Sequence, residues 1–367
     1  MSVEYRFIQA VDTVTIRGNK LFGDAGSYGE TTFPPRPSVL SGAFRSLLWA
    51  NNGRDAQAIQ QSDFRLTGLF PASQNETGVI EVFLPLPADV TVLEKDKSIQ
   101  QLEPQVLNNT IQHSQMAQLP MMPILRQGRQ SKAESGWLLN QSGISAYLQG
   151  QTLSSTHIHP QADLWISESR IGIGLNRRSR TVDEGKLFTV EHTALQQNEN
   201  SGITAGLIVG VSGCDTLPES GFIRLGGDGR AARFSAVSAP VFSPANINGK
   251  FKLVLLTPGL FAQGWLPDGI QQEGDHYWLK LDGFKARLAC ASISRAEIIS
   301  GWDLEQWQPK AAERVVPSGS VYWFDQVQDD TAALDKLATE GWWTDTLDNA
   351  TQSRRAEGYN RVLLAAW

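Results

Sequence analysis

Cysteine is nearly missing from this chain. Cys214 and Cys290 are the only two in 367 residues, too few for a disulfide framework or a cysteine-ligated zinc site. That fits a reducing compartment. No apolar run reaches membrane-spanning length. The opening MSVEYRFIQAVD has neither the basic n-region nor the apolar h-region of a signal peptide. The expectation is a cytoplasmic protein with no membrane partner. Excess positive charge is missing too: 32 Lys and Arg stand against 38 Asp and Glu, for a net charge of −6. Freestanding nucleic-acid binders are more often basic. Any contact with RNA or DNA must therefore use a local patch or be shared with partner subunits. Catalytic signatures are absent as well. No Gly-Lys-Ser/Thr follows a glycine cluster, no GxSxG elbow occurs, and GIGLNR (172–177) is not GxGxxG. The sequence implies no cofactor.

What is present is enough apolar residue, 41%, for real cores, and a length that suggests two or three domains. Tryptophan is abundant and clusters late (Trp302, Trp307, Trp323, Trp342, Trp343, Trp367), which suggests a tightly packed or partner-facing C-terminal part. Alternating apolar residues predict a strand over 5–16. A helix is expected over 39–49, capped by Ser38, with Leu40, Ala43, Phe44, Leu47 and Leu48 on its apolar stripe. Strands follow at 64–70 and 79–84. The Gln/Asn/Ser-rich stretch 86–161 breaks this rhythm and reads as an insertion with a helix near 143–149. Residues 163–192 read as a hairpin, 203–211 as a buried strand, and 238–248 as a linker. The second half repeats strands at 251–257, 284–301, 316–324 and 359–367, with a helix over 330–339. A βαββαβ order in both halves predicts an α+β protein of two ferredoxin-like (RRM-like) domains. Their expected bounds are 1–240, including insertion 86–161 and hairpin 163–192, and 249–367.

Two stretches could meet an anion. In GFIRLGGDGRAARF (221–234), Gly226, Gly227 and Gly229 leave the backbone open to close approach. Arg224, Arg230 and Arg233 frame the turn against one acid, Asp228. Either it is a solvated hairpin or its N–H groups and arginines face phosphate. Gly226-Gly227-Asp228 looks like the GGD turn of nucleotide cyclases, but Gly229 stands where a second acid is needed. The hairpin tip offers Arg177, Arg178, Arg180 and Lys186 with Asn176, Ser179 and Thr181, suited to phosphate and base-edge contacts or simply solvated. Among the five histidines, His157 and His159 would share a strand face, the one plausible ligand pair. A general acid/base ribonuclease would draw on His113, His157, His159, His192 or Tyr28, and nothing in the sequence pairs one of them with a second catalytic residue.

At PPRPSVLSGAFRSLLW (34–49), RIGIGLNRRSRTVDEGKLFTVEH (170–192), FIRLGGDGR (222–230), SGWDLEQWQPKAAERVVPSGSVYWF (300–324) and EGYNRVLLAAW (357–367) the chain resembles a known family. These are the third subunits of the Cmr complex, the type III-B CRISPR effector, within the superfamily of repeat-associated mysterious proteins. The segment 90–155 carries no match. The resemblance implies a pair of ferredoxin-like domains and a non-catalytic role in antiviral defence, holding the 5′ tag of the CRISPR RNA. It implies neighbours in the large palm-domain subunit and the backbone subunits, and target RNA as an indirect partner. It places tag contacts at Arg36, Ser41 and Arg45, at Arg177 to Thr181 in a projecting thumb hairpin (176–186), and at Arg224 to Arg230. The alternative within the superfamily is an endoribonuclease that processes precursor CRISPR RNA.

Overall fold

The computed structural model describes residues 2–18, 28–53, 63–106, 119–126, 131–176, 178–198, 202–214, 217–243, 245–281, 283–303, 308–329, 332–344 and 348–367. The fold is α+β and mostly strand. The chain divides into two compact units, Met1–Val82 with Gln161–Ala239 and Phe83–Pro160 with Pro240–Trp367.

In the first unit, antiparallel strands run in the order Ser220–Arg224, Ala231–Val237, Glu4–Ala10, Ile203–Ser212, Arg65–Gln74, Ile80–Val82. Period-2 alternation sends Ile8, Ala10, Leu207, Val209, Ala232 and Phe234 to one face. Helix α1 (Pro37–Asn51) lies over that face. Leu40, Phe44 and Leu48, one turn apart, are buried, and Phe44 meets Phe234 edge-on at 5.7 Å. The helix begins two residues earlier than the sequence suggests. Arg36 is the N-cap and Pro37 the first helical residue, because the fixed φ of proline suits that position. The strand expected over 5–16 ends at Ala10. Its continuation leaves the sheet and bridges Val14 to Thr193. There it meets a long hairpin, Trp165–Leu175 against Val182–Leu195.

In the second unit the order is Ile270–Glu273, His276–Leu281, Phe284–Ser292, Val321–Asp329, Phe251–Leu255, Val362–Ala366. Phe251, Leu253, Leu288, Phe324, Leu334, Leu337 and Trp342 share its core. The last strand is shorter than the expected 359–367, and the strand expected to reach residue 301 stops at Ser292. The stretch expected to be an insertion within the first domain groups instead with this unit. Lys252, on a central strand, is 6% exposed and donates to Asp89 at 3.0 Å. The Tyr147 hydroxyl donates to the other Asp89 oxygen at 2.7 Å. Tyr147 belongs to helix α2 (Gln141–Leu148), which Asn140 caps by accepting from the Gly143 N–H at 2.8 Å. A buried charge needs its partner nearby, and the insertion supplies it. No helix among the described residues is long and apolar enough to cross a membrane.

Candidate nucleic-acid interface

The glycine turn closes the two strands at the edge of the first unit's sheet, Leu225 N–H donating to Arg230 O at 2.9 Å. Its apolar flank, Ile223 and Leu225, is buried in the core. The turn rests on the segment that left the sheet after Ala10. Gly227 N–H donates to Thr15 O at 2.8 Å, and Gly226 has φ +82° with Thr15 O only 2.5 Å from where a Cβ would stand. Arg230 folds back across this seam. Its Nη1 donates to Asp12 Oδ2, Thr13 O and Thr13 Oγ1, each at 2.9 Å, while its Nε is buried without a hydrogen bond. Arg230 is thus a clamp on the turn as well as a cation beside it. The Thr13 N–H, and then Arg230, hold the Asp12 carboxyl below its usual range.

Under the clamp sits His192, 5% exposed. Its Nδ1 shares hydrogen bonds with the Thr15 hydroxyl at 2.8 Å and the Thr13 hydroxyl at 3.3 Å. Burial first, then the charges of Arg230 and Arg170, pushes the imidazole below its ordinary pKa, against the opposing pull of Glu168 and Asp228. A neutral ring bonded to two hydroxyls is the result. Asp12, Thr13, Thr15 and His192 are the residues that sequence reasoning missed here. No local pattern marks them, because 218 positions separate Arg230 from Asp12.

The three residues expected at the start of α1 are spread along it, Arg36 at the N-cap and Arg45 nine residues on. No side chain caps its N-terminus and no acid stands in its first turn, so the positive end of the helix dipole is uncompensated there. Ser41 is fully buried, and its Oγ has no partner. One turn on, the Arg45 guanidinium lies over the Phe64 ring at 5.7 Å with its Nε buried and unbonded. Arg36, half-buried, is at the cap itself.

The hairpin tip lies elsewhere. Glu168 pairs with His192, and Leu175 with Val182. Seven residues of strand put the tip about 24 Å beyond the His192 level. There Asn176 Oδ1 accepts from the N–H groups of Arg178 at 2.9 Å and Ser179 at 3.2 Å, and Arg180 takes φ +54°. Ser179 and Thr181 share a hydroxyl hydrogen bond, and Lys186 pairs with Asp183 at 2.6 Å. Arg177 lies outside the described residues. The GIG of 172–174 belongs to the hairpin's first strand; Gly172 lies under the Phe188 ring, with no room for a Cβ.

The histidines do not converge. His113 is outside the described residues. His157 ends a short 3₁₀ turn and its Nδ1 accepts from the Ser154 N–H at 3.0 Å. His159 packs on the Phe83 ring at 5.0 Å, so the pair does not share the expected strand face. Tyr28 donates to Glu191, which raises its pKa. No group of three or more His, Cys, Asp or Glu able to hold a metal ion occurs among the described residues.

Three comparisons relate the chain to known proteins. The model of the family described as CRISPR-associated protein (Cas_Cmr3) matches residues 6–367. A chain of the cryo-EM structure of the Type III-B Cmr-beta bound to cognate target RNA superposes with TM-score 0.53 at 14% identity, covering 98% of this chain and 96% of that one. A chain of the same complex with target RNA and AMPPnP superposes with TM-score 0.50 at 13% identity, covering 96% and 93%. At these identities the likeness is one of fold. Among curated proteins none matches.

Proposed function

We propose that this chain, which belongs to the CRISPR-associated protein (Cas_Cmr3) family, is a non-catalytic, RNA-binding subunit of a type III CRISPR effector that holds the 5′ tag of the guide RNA. It acts in the cytoplasm beside the large palm-domain and backbone subunits and meets target RNA only through the guide. Both units are read as ferredoxin-like domains. The strand orders support this. In the first unit the 231–237 strand lies beside 4–10, then 203–212, then 65–74, and in the second 362–366 lies beside 251–255, then 321–329, then 284–292. That is fourth, first, third, second in each.

The observation that carries the RNA reading is the start of α1. No side chain caps the helix N-terminus, and farther along it Ser41 Oγ and Arg45 Nε are buried with no hydrogen-bond partner. A phosphate at this end would meet the positive end of the helix dipole and the charge of Arg36 and Arg45. The glycine turn offers a second approach for an RNA backbone, and the exposed Arg178 and Arg180 a third, at the hairpin tip. The turn's contacts would come from the Gly226, Gly227 and Gly229 backbone, exposed Arg224 and the remaining donors of Arg230. Net charge −6 accords with guide binding shared among subunits.

The test is fluorescence anisotropy of the full chain with a guide RNA carrying its 5′ tag, against the same RNA without it. Tighter binding of the tagged RNA is expected, with Arg36→Ala plus Arg45→Ala reducing affinity by tenfold or more. The slope of log K on log salt should fall by about 0.7 for each phosphate no longer neutralised. Tag-independent binding overturns the proposal. So does metal-free cleavage of a repeat-containing precursor RNA that His157→Ala or His113→Ala abolishes.

A further inference from the structure

The strand Ser220–Arg224 is the outermost of the first unit's sheet and pairs on one side only. Ile223 points into the core, so its neighbours Phe222 and Arg224 point the other way. Phe222 is 62% exposed and Arg224 is exposed. Across the ladder Phe222 stands opposite Arg233, also exposed, and Arg233 stands opposite Gln9. Directly opposed residues share a face. One ring and two guanidinium groups therefore crowd the same outward surface. Arg224 lies about 7 Å along the strand from Phe222, and Arg233 about 5 Å across it.

Neither arginine makes a hydrogen bond or ion pair among the described residues. That sets them apart from Arg230 on Asp12, Arg170 on Glu168 and Arg6 on Glu4. A chain of net charge −6 thus leaves two uncompensated cations beside a solvent-facing phenyl ring, one on each strand flanking the glycine turn.

We propose that Phe222, Arg224 and Arg233 form a nucleobase-stacking site for single-stranded RNA, an unpaired base lying on the Phe222 ring and the adjoining phosphates on the two guanidinium groups. Aromatic faces with flanking arginines are what unpaired RNA requires, since each nucleotide presents a π-face and an anion together. A protein partner would need acidic groups placed on both sides of an apolar pocket. The inference rests on the RNA-binding reading above and extends it from backbone contacts to a base.

Photo-crosslinking of the full chain to a single-stranded RNA bearing 5-iodouridine tests it. The expected crosslink is at Phe222, located by mass spectrometry. By anisotropy, Phe222→Leu should lose at least about fivefold in affinity with an unchanged salt slope, and Phe222→Tyr should restore binding. Arg224→Ala and Arg233→Ala should each lower the slope. Phe222 is exposed, so folding is not at issue; matched thermal melts check this. If tagged RNA still binds but Phe222→Leu is silent and no crosslink falls within 217–237, the stacking site is overturned while the RNA-binding reading stands. If the wild-type chain binds no RNA, both fall. If Phe222→Leu instead blocks assembly with partner subunits at unchanged RNA affinity, the face is a protein contact and the proposal is overturned.

Discussion

Gly226 and Gly227 are adjacent but under different constraints. Gly226 combines φ +82° with backbone contact to Thr15, whereas a Cβ on Gly227 would meet Thr15 O at an ordinary 3.7 Å. Gly226→Ala therefore strains both the dihedral and the packing, by about 1–2 kcal/mol for the left-handed backbone alone. Gly227→Ala should change stability little and act, if at all, on RNA affinity. Denaturant midpoints of the two variants, paired with RNA titrations, separate these effects. Equal destabilisation would show the seam with Thr15 to be irrelevant. His192 makes a pH statement. Its folded pKa lies below the unfolded value of 6.5, burial being the main cause. The unfolded chain then binds the proton more readily, so stability is full above pH 6.5 and falls as pH drops through that value. Denaturant midpoints between pH 7.5 and 5 should decline, and His192→Gln should flatten that decline.

At the level of elements, α1 carries two messages on one surface. Its Leu40–Phe44–Leu48 stripe holds it to the sheet, while Ser41, beside Leu40, buries a hydroxyl with no partner. An unmatched buried polar group costs about 1–3 kcal/mol. Ser41→Ala should therefore leave stability unchanged or raise it by about 1 kcal/mol, while lowering affinity for tagged RNA. Thermal melting and anisotropy on the same sample check the pair. A stabilised variant with full RNA affinity would remove Ser41 from the interface. The hairpin shows a different division. Its base is tied to Val14 by paired backbone hydrogen bonds at 2.9 and 2.8 Å, whereas Ile171, Ile173, Leu175, Val182 and Leu187 toward its tip are exposed. The tip's arginines thus stand on a projecting arm, away from the glycine turn.

At the scale of the molecule, one buried ion pair decides where the long insertion belongs. Asp89, 1% exposed, answers both Lys252 and the Tyr147 hydroxyl, and the Lys252 ammonium also lies 4.0 Å over the Tyr147 ring. Asp89→Ala strands a buried cation, which costs about 3–5 kcal/mol. Urea denaturation should show that loss, and Lys252→Met in the same background should recover part of it. An additive double mutant would mean the pair carries no coupling.

Much of this was legible in the sequence because the relevant signals are local. The 3.6-residue stripe of α1, the alternation in the sheet strands and the glycine spacing at 226–229 are properties of neighbours along the chain. One helix turn likewise puts Ser41 and Arg45 on the same side of α1. The sequence alone could not say that Asp12 to Thr15 would lie beneath the glycine turn, or that His192 would be sealed between two threonines. Nor could it say that Phe222 would face outward rather than join the core, or that residues 83–160 would group with the second unit. Each of these depends on which distant strand pairs with which, and on buried charges and hydroxyls finding partners far away in sequence. Register and desolvation act through space, so only the folded chain decides them.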